Sequence, residues 1–252
     1  MGKTILIKSA RIIDPSSDNT FQGDIFIRDG LVAEIQGMIA TEADIIIDAS
    51  NLCAAPGLVD MHVHTRDPGQ TYKDDILTVS ACAAAGGITS MACMPNTIPP
   101  VDNENVLDYI LQKAAQASAR VYPVAAVTLG LQGGQLTDIA ALYHAGAIAF
   151  SDDGNPVSDP HLLSEALHQA NAEGSLILAH CEDRLLSAGG LINEGEVYAK
   201  LKLPGISAEA ENVATRRDLE LARREMREFI YAMSAPQVRS KRSDRRKSRV
   251  FT

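Results

Sequence analysis

The sequence has no tryptophan, and aromatic residues make up only 4% of its 252 residues. A buried core must therefore be built mainly from Ala, Val, Ile and Leu, which is typical of α/β proteins with buried parallel strands. Because no run of about 18 apolar residues occurs, we predict no membrane span. The first residues, MGKTILIKSARIID, do not have the order of a signal peptide, since charged residues interrupt the apolar run early.

Cysteine is also scarce. None of the four cysteines forms a C-x-x-C pair, and all lie in apolar or strand-like surroundings; they are Cys53, Cys82, Cys93 and Cys181. Disulfides are rare in reducing compartments, so this pattern predicts a reduced, cytoplasmic chain.

Basic residues are few in most of the chain and concentrated near its end. Residues 216–252 hold 12 of the 23 Lys and Arg residues but only 5 of the 32 Asp and Glu residues. The segment 236–252 has three possible interpretations: a tail that binds nucleic acid or an anionic surface, a solvated disordered tail, and an out-of-frame product of a frameshift or premature stop. We favour the third, so nucleic acid is not an expected partner.

Apolar runs and turn residues divide the rest of the chain in two. Residues 1–55 contain β-rich runs separated by turns, which predicts a small N-terminal β-sandwich-like module. From residue 56, short apolar strands alternate with helical patterns, which predicts an α/β fold with a parallel sheet. We predict a (β/α) TIM-type barrel over residues 56–235, incomplete at about five to six βα units, followed by a basic, disordered tail over residues 236–252.

Three of the predicted helices have candidate caps at their N-termini. These candidates are Asp102 or Asn103, Thr137, and Ser158 or Asp159. Each has a short polar side chain that can accept a hydrogen bond from the first free N–H groups of a helix.

Polar residues follow four of the predicted strands at the point where each strand ends. They are His62 and His64, Asn96, Asp152 with Asp153, and His180. In a (β/α) barrel the active site is built at the carboxyl ends of the strands. We therefore expect these side chains to meet in one site, whereas His144, His161 and His168 fall in helical segments and are expected to be surface or packing residues.

The residue types indicate metal chemistry. His62 and His64 share a face of their strand, and two neighbouring imidazoles suit zinc; the alternative is two polar residues at a strand end. Asp60 has the same phase and is a candidate partner beneath the site. A carboxylate at the Asp152–Asp153 pair could bridge two ions, or could only cap a turn. His180 is a further ligand candidate beside these, although a lone histidine after a strand is usually structural.

Arg66 and Asn96 are candidates for binding a small substrate. A guanidinium binds a carboxylate through two parallel hydrogen bonds, and an amide offers both a donor and an acceptor. Together they would fit a small molecule that carries a carboxylate and an amide. The alternatives are a surface salt bridge for Arg66 and a turn residue for Asn96.

Several ordered motifs resemble those of the dihydroorotases, in their longer bacterial class within the amidohydrolase superfamily. The motifs are PGLVDMHVHTRDPGQTYKDD, AAAGGITSMACMPNTIPPVDN, AIAFSDDGNPV, LILAHCEDRLL and PGISAEAENVATRRDLELA. The resemblance as a whole covers roughly residues 3 to 225. Thr65 departs from the pattern, which usually has an aliphatic residue there. The resemblance implies a zinc-dependent (β/α)8 barrel that interconverts N-carbamoyl-L-aspartate and dihydroorotate in pyrimidine biosynthesis.

The resemblance also implies roles for individual residues. His62 and His64 would bind one Zn2+, Asp153 would bridge the metals, His180 would bind a second Zn2+, and Arg66 and Asn96 would hold the substrate carboxylate. Related hydantoinases and allantoinases, the alternative cyclic amidases, have a carboxylated lysine in the bridging position. An aspartate there favours dihydroorotase.

Two expected features of the family do not occur in this sequence. No histidine follows His180, where a ligand at the end of strand six is expected, and the general acid/base aspartate of strand eight is absent from the chain. Residues 56–252 are also fewer than the about 250 typical of a closed barrel. We therefore expect a C-terminally truncated chain with weak activity or none, and poor solubility or homo-oligomer formation. The alternative function is a non-catalytic partner of aspartate carbamoyltransferase.

Overall fold

A computed structural model describes residues 2–225 and 229–231 of the protein. The contacts divide these residues into two compact units, one of residues 2–57 and the other beginning at Leu58. The predicted basic tail, residues 236–252, lies outside the described residues. In the part that is described, no helix is both long and apolar enough to cross a membrane.

The first unit is a five-stranded mixed sheet. Its strands are β1 (Thr4–Asp14), β2 (Asn19–Arg28), β3 (Leu31–Gln36), β4 (Ile45–Asp48) and β5 (Cys53–Ala54). Strand β1 is central: it pairs antiparallel with β2 and parallel with β4 and β5, while β3 pairs with the far side of β2. Alternate residues along the strands point to opposite faces, which yields two small apolar clusters, one around Ala10 and Ile25 and the other around Leu6 and Phe26.

A buried carboxylate holds the irregular part of this sheet. The β1–β2 register shifts between Ile7 and Ala10, and Ser9 within this shift has a positive φ of 60°. The Asp24 carboxylate accepts hydrogen bonds from the backbone N–H of Ser9 at 2.8 Å and of Ile39 at 2.9 Å. These bonds satisfy two backbone donors that the ladder leaves unpaired.

The second unit contains a six-stranded parallel sheet. Its strands are β6 (Leu58–Val63), β7 (Ile88–Cys93), β8 (Arg120–Ala125), β9 (Ala149–Phe150), β10 (Leu176–Ala179) and, after two short strands β11 (Ile192–Asn193) and β12 (Gly205–Ile206), β13 (Phe229–Tyr231). Apart from the separate β11–β12 pair, each strand lies beside the next one in the chain. This is the predicted TIM-type barrel sheet, and it is incomplete.

Helices connect the strands. They are α1 (Ile76–Ala85), α2 (Glu104–Ala114), α3 (Ile139–His144), α4 (Pro160–Ala172), α5 (Arg184–Ser187), α6 (Glu196–Leu201) and α7 (Ala208–Arg224), with a 3-10 turn at Leu129–Leu131. One face of the sheet packs against the main helices in a large aliphatic cluster that includes Met91, Leu107 and Phe150. The opposite face has a smaller cluster around Met94 and Val124.

Caps start the helices, though not always at the predicted residue. Asn103 caps α2 by accepting hydrogen bonds from the backbone N–H groups of Asn105 and Val106, and Asp159 caps α4 by accepting one from the backbone N–H of His161. For α3 the predicted cap, Thr137, is wrong, and Asp138 caps the helix instead. The physical reason is that the Thr137 side chain is buried and its hydroxyl donates to the Ala126 carbonyl oxygen at 2.8 Å.

Candidate metal centre

The predicted site residues lie at the carboxyl ends of four neighbouring strands. His62 is near the end of β6 and His64 directly follows it, whereas His180 directly follows β10. Asn96 and Asp153 each lie three residues beyond the end of a strand, β7 and β9 respectively. The parallel sheet thus brings together groups that are separated by as many as 118 positions in the chain.

Two histidines face one oxygen of Asp153. His62 Nε2 lies 3.5 Å from Asp153 Oδ2, and His64 Nε2 lies 3.4 Å from the same oxygen. The ligand atoms of these three residues all lie within 4.8 Å of one another. The Asp60 carboxylate accepts a hydrogen bond from the backbone N–H of His62 at 3.1 Å, so it supports the end of the strand beneath the pair.

The third histidine faces the other oxygen. His180 Nδ1 lies 3.1 Å from Asp153 Oδ1. The Asp153 side chain is only 6% exposed, and this burial by itself would raise its pKa. Hydrogen bonds from His180 and His62, together with the charges of these histidines, outweigh burial and lower the pKa of Asp153 well below its usual range. The hydrogen bond to Asp153 raises the pKa of His180. The site therefore contains a buried, anionic carboxylate that lies between the His62–His64 pair and His180.

The preceding residue, Asp152, faces away from the histidines. Its carboxylate accepts hydrogen bonds from the backbone N–H of Val127 at 2.8 Å and of Thr128 at 3.0 Å, and from the Thr128 hydroxyl. Burial raises the pKa of Asp152 despite these hydrogen bonds. Of the two adjacent aspartates, Asp152 therefore holds the loop after β8, and Asp153 faces the three histidines.

Asn96 contacts two members of the cluster. Its Oδ1 lies 2.8 Å from His64 Nδ1, and its Nδ2 donates to Asp153 Oδ2 at 3.2 Å. An amide oxygen can only accept, so this contact places the proton of His64 on Nδ1 and leaves the Nε2 lone pair directed toward Asp153. In this arrangement Asn96 orients the candidate ligands; its predicted contact with a substrate carboxylate remains a prediction.

Arg66 lies in the loop that follows β6. Its backbone is in the left-handed region, with φ of 57°, and its side chain is half-buried. No ion pair in residues 2–225 involves its guanidinium. The position of the loop is compatible with the predicted clamp for a carboxylate, which remains a prediction.

Sequence reasoning missed the residue that anchors this loop. Asp67 is fully buried and accepts hydrogen bonds from the Tyr109 hydroxyl and the Lys113 ammonium of α2, both at 2.8 Å. The backbone N–H of Ile76, at the start of α1, is a longer third contact at 3.4 Å. The only signal in the sequence was an acidic residue directly beside Arg66, and its two side-chain partners lie more than 40 positions away.

A second residue that was missed is Glu182. Its Oε2 lies 3.1 Å from His180 Nε2, the ring nitrogen opposite the one that faces Asp153. A signal was available in the spacing, because a carboxylate two positions after a candidate ligand can reach back to the same ring.

The donor set fits a zinc site. Zinc binds imidazole nitrogen and carboxylate oxygen at about 2.0–2.2 Å, so two ligand atoms around a tetrahedral ion lie about 3.3 Å apart. The separations of 3.4 and 3.5 Å between the Nε2 atoms and Asp153 Oδ2 are close to this value. Because Asp153 turns one oxygen to each side, the carboxylate is placed as a bridge would be.

In sequence, this chain is similar to dihydroorotases. The family model described as dihydro-orotase-like matches residues 52–233. The dihydroorotase of Syntrophus aciditrophicus (strain SB) is 46% identical over 221 residues, which cover 86% of this chain and 52% of that protein. For the dihydroorotase of Aquifex aeolicus (strain VF5) the identity is 45%, with 87% and 52% covered. The chain thus spans about half the length of the curated relatives it matches.

Solved structures share the fold. The L-hydantoinase (dihydropyrimidinase) of Arthrobacter aurescens superposes with a TM-score of 0.73 at 26% identity, covering 92% of this chain and 52% of that one. A D-hydantoinase superposes with a TM-score of 0.68 at 23% identity, covering 90% and 51%. These are amidohydrolase barrels, which confirms the predicted fold class.

Proposed function

Because the chain belongs to the dihydroorotase-like family, we propose that it is a cyclic amide hydrolase of dihydroorotase type. The reaction is the interconversion of N-carbamoyl-L-aspartate and dihydroorotate. The observation that carries the proposal is the position of Asp153, which turns Oδ2 to His62 and His64 and Oδ1 to His180. This is the arrangement that a carboxylate bridge between two metal ions requires.

In this proposal His62 and His64 would hold one Zn2+, His180 would hold a second, and Asp153 would serve both. A bound zinc ion supplies Lewis acidity toward a substrate carbonyl and lowers the pKa of a water molecule. The Asp153 carboxylate supplies negative charge that would attract the ions, because its pKa lies well below its usual range and the group stays ionised at neutral pH.

Arg66 is the proposed clamp for the substrate carboxylate. A guanidinium binds a carboxylate through two parallel hydrogen bonds, which fixes the orientation of the ring as well as its position. Dihydroorotate carries such a carboxylate, whereas hydantoin does not. Substitution of Arg66 should therefore weaken the binding of dihydroorotate selectively.

A hydantoinase-type activity is the second candidate, because the solved structures with this fold include hydantoinases. Two observations favour dihydroorotase. The chain is 46% identical to a dihydroorotase and 26% identical to the Arthrobacter aurescens hydantoinase. The residue in the bridging position is an aspartate, whereas the resemblance associates a carboxylated lysine with hydantoinases.

The test combines zinc binding with substrate binding. The purified chain is titrated with Zn2+ against a chelator, and its binding of dihydroorotate and, separately, of hydantoin is then measured. We expect zinc binding, binding of dihydroorotate in preference to hydantoin with weak turnover or none, and loss of both kinds of binding in Asp153→Ala. His161→Ala is the matched control, since His161 lies on α4 and makes no side-chain contact with the three histidines.

Two results would contradict the proposal. One is zinc binding that is the same in Asp153→Ala as in the unaltered chain. The other is a zinc-loaded chain that binds dihydroorotate no more tightly than hydantoin.

A further inference from the structure

His180 lies between two carboxylates, one at each ring nitrogen. Its Nδ1 is 3.1 Å from Asp153 Oδ1, and its Nε2 is 3.1 Å from Glu182 Oε2. A neutral imidazole has one N–H donor and one lone pair, so it cannot donate to both carboxylates at once. Which nitrogen keeps the proton decides which nitrogen is free to bind a metal ion.

The position of Glu182 is fixed by its own surroundings. Its backbone N–H donates to the His180 carbonyl oxygen at 3.0 Å, which folds the chain tightly between the two residues. The next residue, Asp183, caps α5 and is tied by its N–H to the Ala210 carbonyl oxygen of α7. These contacts hold the chain where Glu182 Oε2 lies 3.1 Å from His180 Nε2 and can accept its N–H.

His64, on the other side of Asp153, has an equivalent arrangement in which the roles of Nδ1 and Nε2 are exchanged. There Asn96 Oδ1 contacts His64 Nδ1, and Nε2 is the nitrogen that faces Asp153. At His180, the acceptor contacts Nε2, and Nδ1 faces Asp153. In both cases the partner at one nitrogen determines which nitrogen is directed toward the shared carboxylate.

We infer that Glu182 is a positioning residue for the metal centre: with an ion bound, it would keep the proton of His180 on Nε2 and thereby present the Nδ1 lone pair to the ion. This inference rests on the proposed function, because it takes His180 as a zinc ligand. Carboxylates that accept the N–H of a ligating histidine typically change metal affinity about 10- to 100-fold when removed.

The test measures zinc affinity by competition with a chelator in the full chain. Glu182→Leu removes the acceptor and should weaken zinc binding about 10- to 100-fold, whereas Glu182→Gln keeps an acceptor oxygen and should recover most of the affinity. Glu173→Leu is the matched control, since Glu173 lies 3.7 Å from Nδ1 of His144, a histidine outside the centre. It should leave zinc affinity unchanged.

A double substitution separates positioning from a general effect on the fold. If Glu182 acts through the imidazole, then Glu182→Leu should have no further effect on zinc affinity in a His180→Ala chain. The thermal midpoints of the metal-free variants should also agree, because Glu182 is partly exposed.

Three outcomes would overturn the inference: equal zinc affinity in Glu182→Leu and the unaltered chain, failure of Glu182→Gln to restore binding, or an undiminished effect of Glu182→Leu in the His180→Ala chain. These are distinct from a failure of the proposed function, which would appear as the expected changes in zinc affinity without preferential binding of dihydroorotate over hydantoin.

Discussion

At the scale of single residues, adjacent aspartates in this protein have opposite tasks. Asp152 is hydrogen-bonded to the backbone of Val127 and Thr128, while Asp153 faces His62, His64 and His180. The backbone just after β9 directs the Asp152 side chain toward the loop after β8 and the Asp153 side chain toward the three histidines. Two residues of the same type therefore have different roles: Asp152 stabilises the fold, and Asp153 is a candidate metal ligand.

This separation predicts different effects of the same substitution at the two positions. Asp152→Ala should lower the free energy of unfolding by about 1–3 kcal/mol, because the buried N–H groups of Val127 and Thr128 lose their acceptor, while zinc binding changes little. Asp153→Ala should weaken zinc binding strongly. Urea unfolding of the metal-free chains and zinc competition measure the two effects. Equal losses of zinc affinity in both variants would count against this separation.

A second prediction at this scale concerns Asp24 in the first unit. The N–H groups of Ile39 and Ser9 lower the pKa of Asp24 below the model-compound value of 3.8. Because the folded pKa is lower than the unfolded one, the stabilisation is present above about pH 4 and is lost as the pH falls through the folded pKa. Asp24→Asn should therefore destabilise the chain at pH 7, and the difference from the unaltered chain should shrink toward pH 3.

Denaturant unfolding at the two pH values tests the Asp24 prediction. Asp29→Asn is a suitable control, since Asp29 is exposed in the turn after β2. A difference that stayed constant down to pH 3 would show that ionisation of Asp24 does not contribute.

At the scale of elements, a single ion pair joins the loop after β6 to helix α2. Lys113 Nζ lies 2.8 Å from Asp67 Oδ2; the Asp67 side chain is fully buried, and that of Lys113 is 33% exposed. Hydrogen bonds to Asp67, and secondarily to Tyr109, raise the pKa of Lys113. The pair fixes the loop that carries Arg66 relative to the helix layer.

Breaking this pair should be costly. Lys113→Met leaves a buried carboxylate without its cation, and we expect a loss of about 2–3 kcal/mol, below the about 3–5 kcal/mol of a fully buried pair because Lys113 is partly solvated. The raised pKa places this stabilisation at all pH values below the unfolded pKa of lysine, so the loss should be equal at pH 7 and pH 9.

Chemical denaturation at both pH values measures this loss. The double variant Asp67→Asn/Lys113→Met removes both charges and should recover part of the stability. A double variant less stable than Lys113→Met would contradict the view that an unpaired buried charge is the cause.

At the scale of the whole molecule, β6 is the exposed edge of the parallel sheet. Among the described strands it pairs only with β7. Leu58, Val59 and Met61 on this strand are 61%, 67% and 57% exposed. An unprotected apolar edge strand is a template for pairing with another chain, so we expect the isolated chain to self-associate with rising concentration.

A charge on this edge should reduce the association. Val59→Lys places a cation beside the free backbone groups of β6, and sedimentation analysis should then show a larger fraction of monomer. Val197→Lys on α6 is the control, because Val197 has a similar exposure of 58% but lies outside the sheet. Equal association in both variants would mean that another surface is responsible.

The sequence by itself determined the alternation of the main strands and helices in the second unit, though not its short elements α5, β11, α6 and β12, because buried parallel strands and helices leave distinct apolar periods. It also indicated His62, His64, the Asp152–Asp153 pair and His180, since strand ends in such a sheet converge on one edge. Only the tertiary structure decided that Asn96 and Glu182 select the facing nitrogens of two histidines, and that Asp67 anchors the loop of Arg66. These contacts depend on how the loops beyond the strand ends orient each side chain, and most of them join residues that are far apart in the sequence. The spacing of apolar residues along the chain therefore carries no information about them.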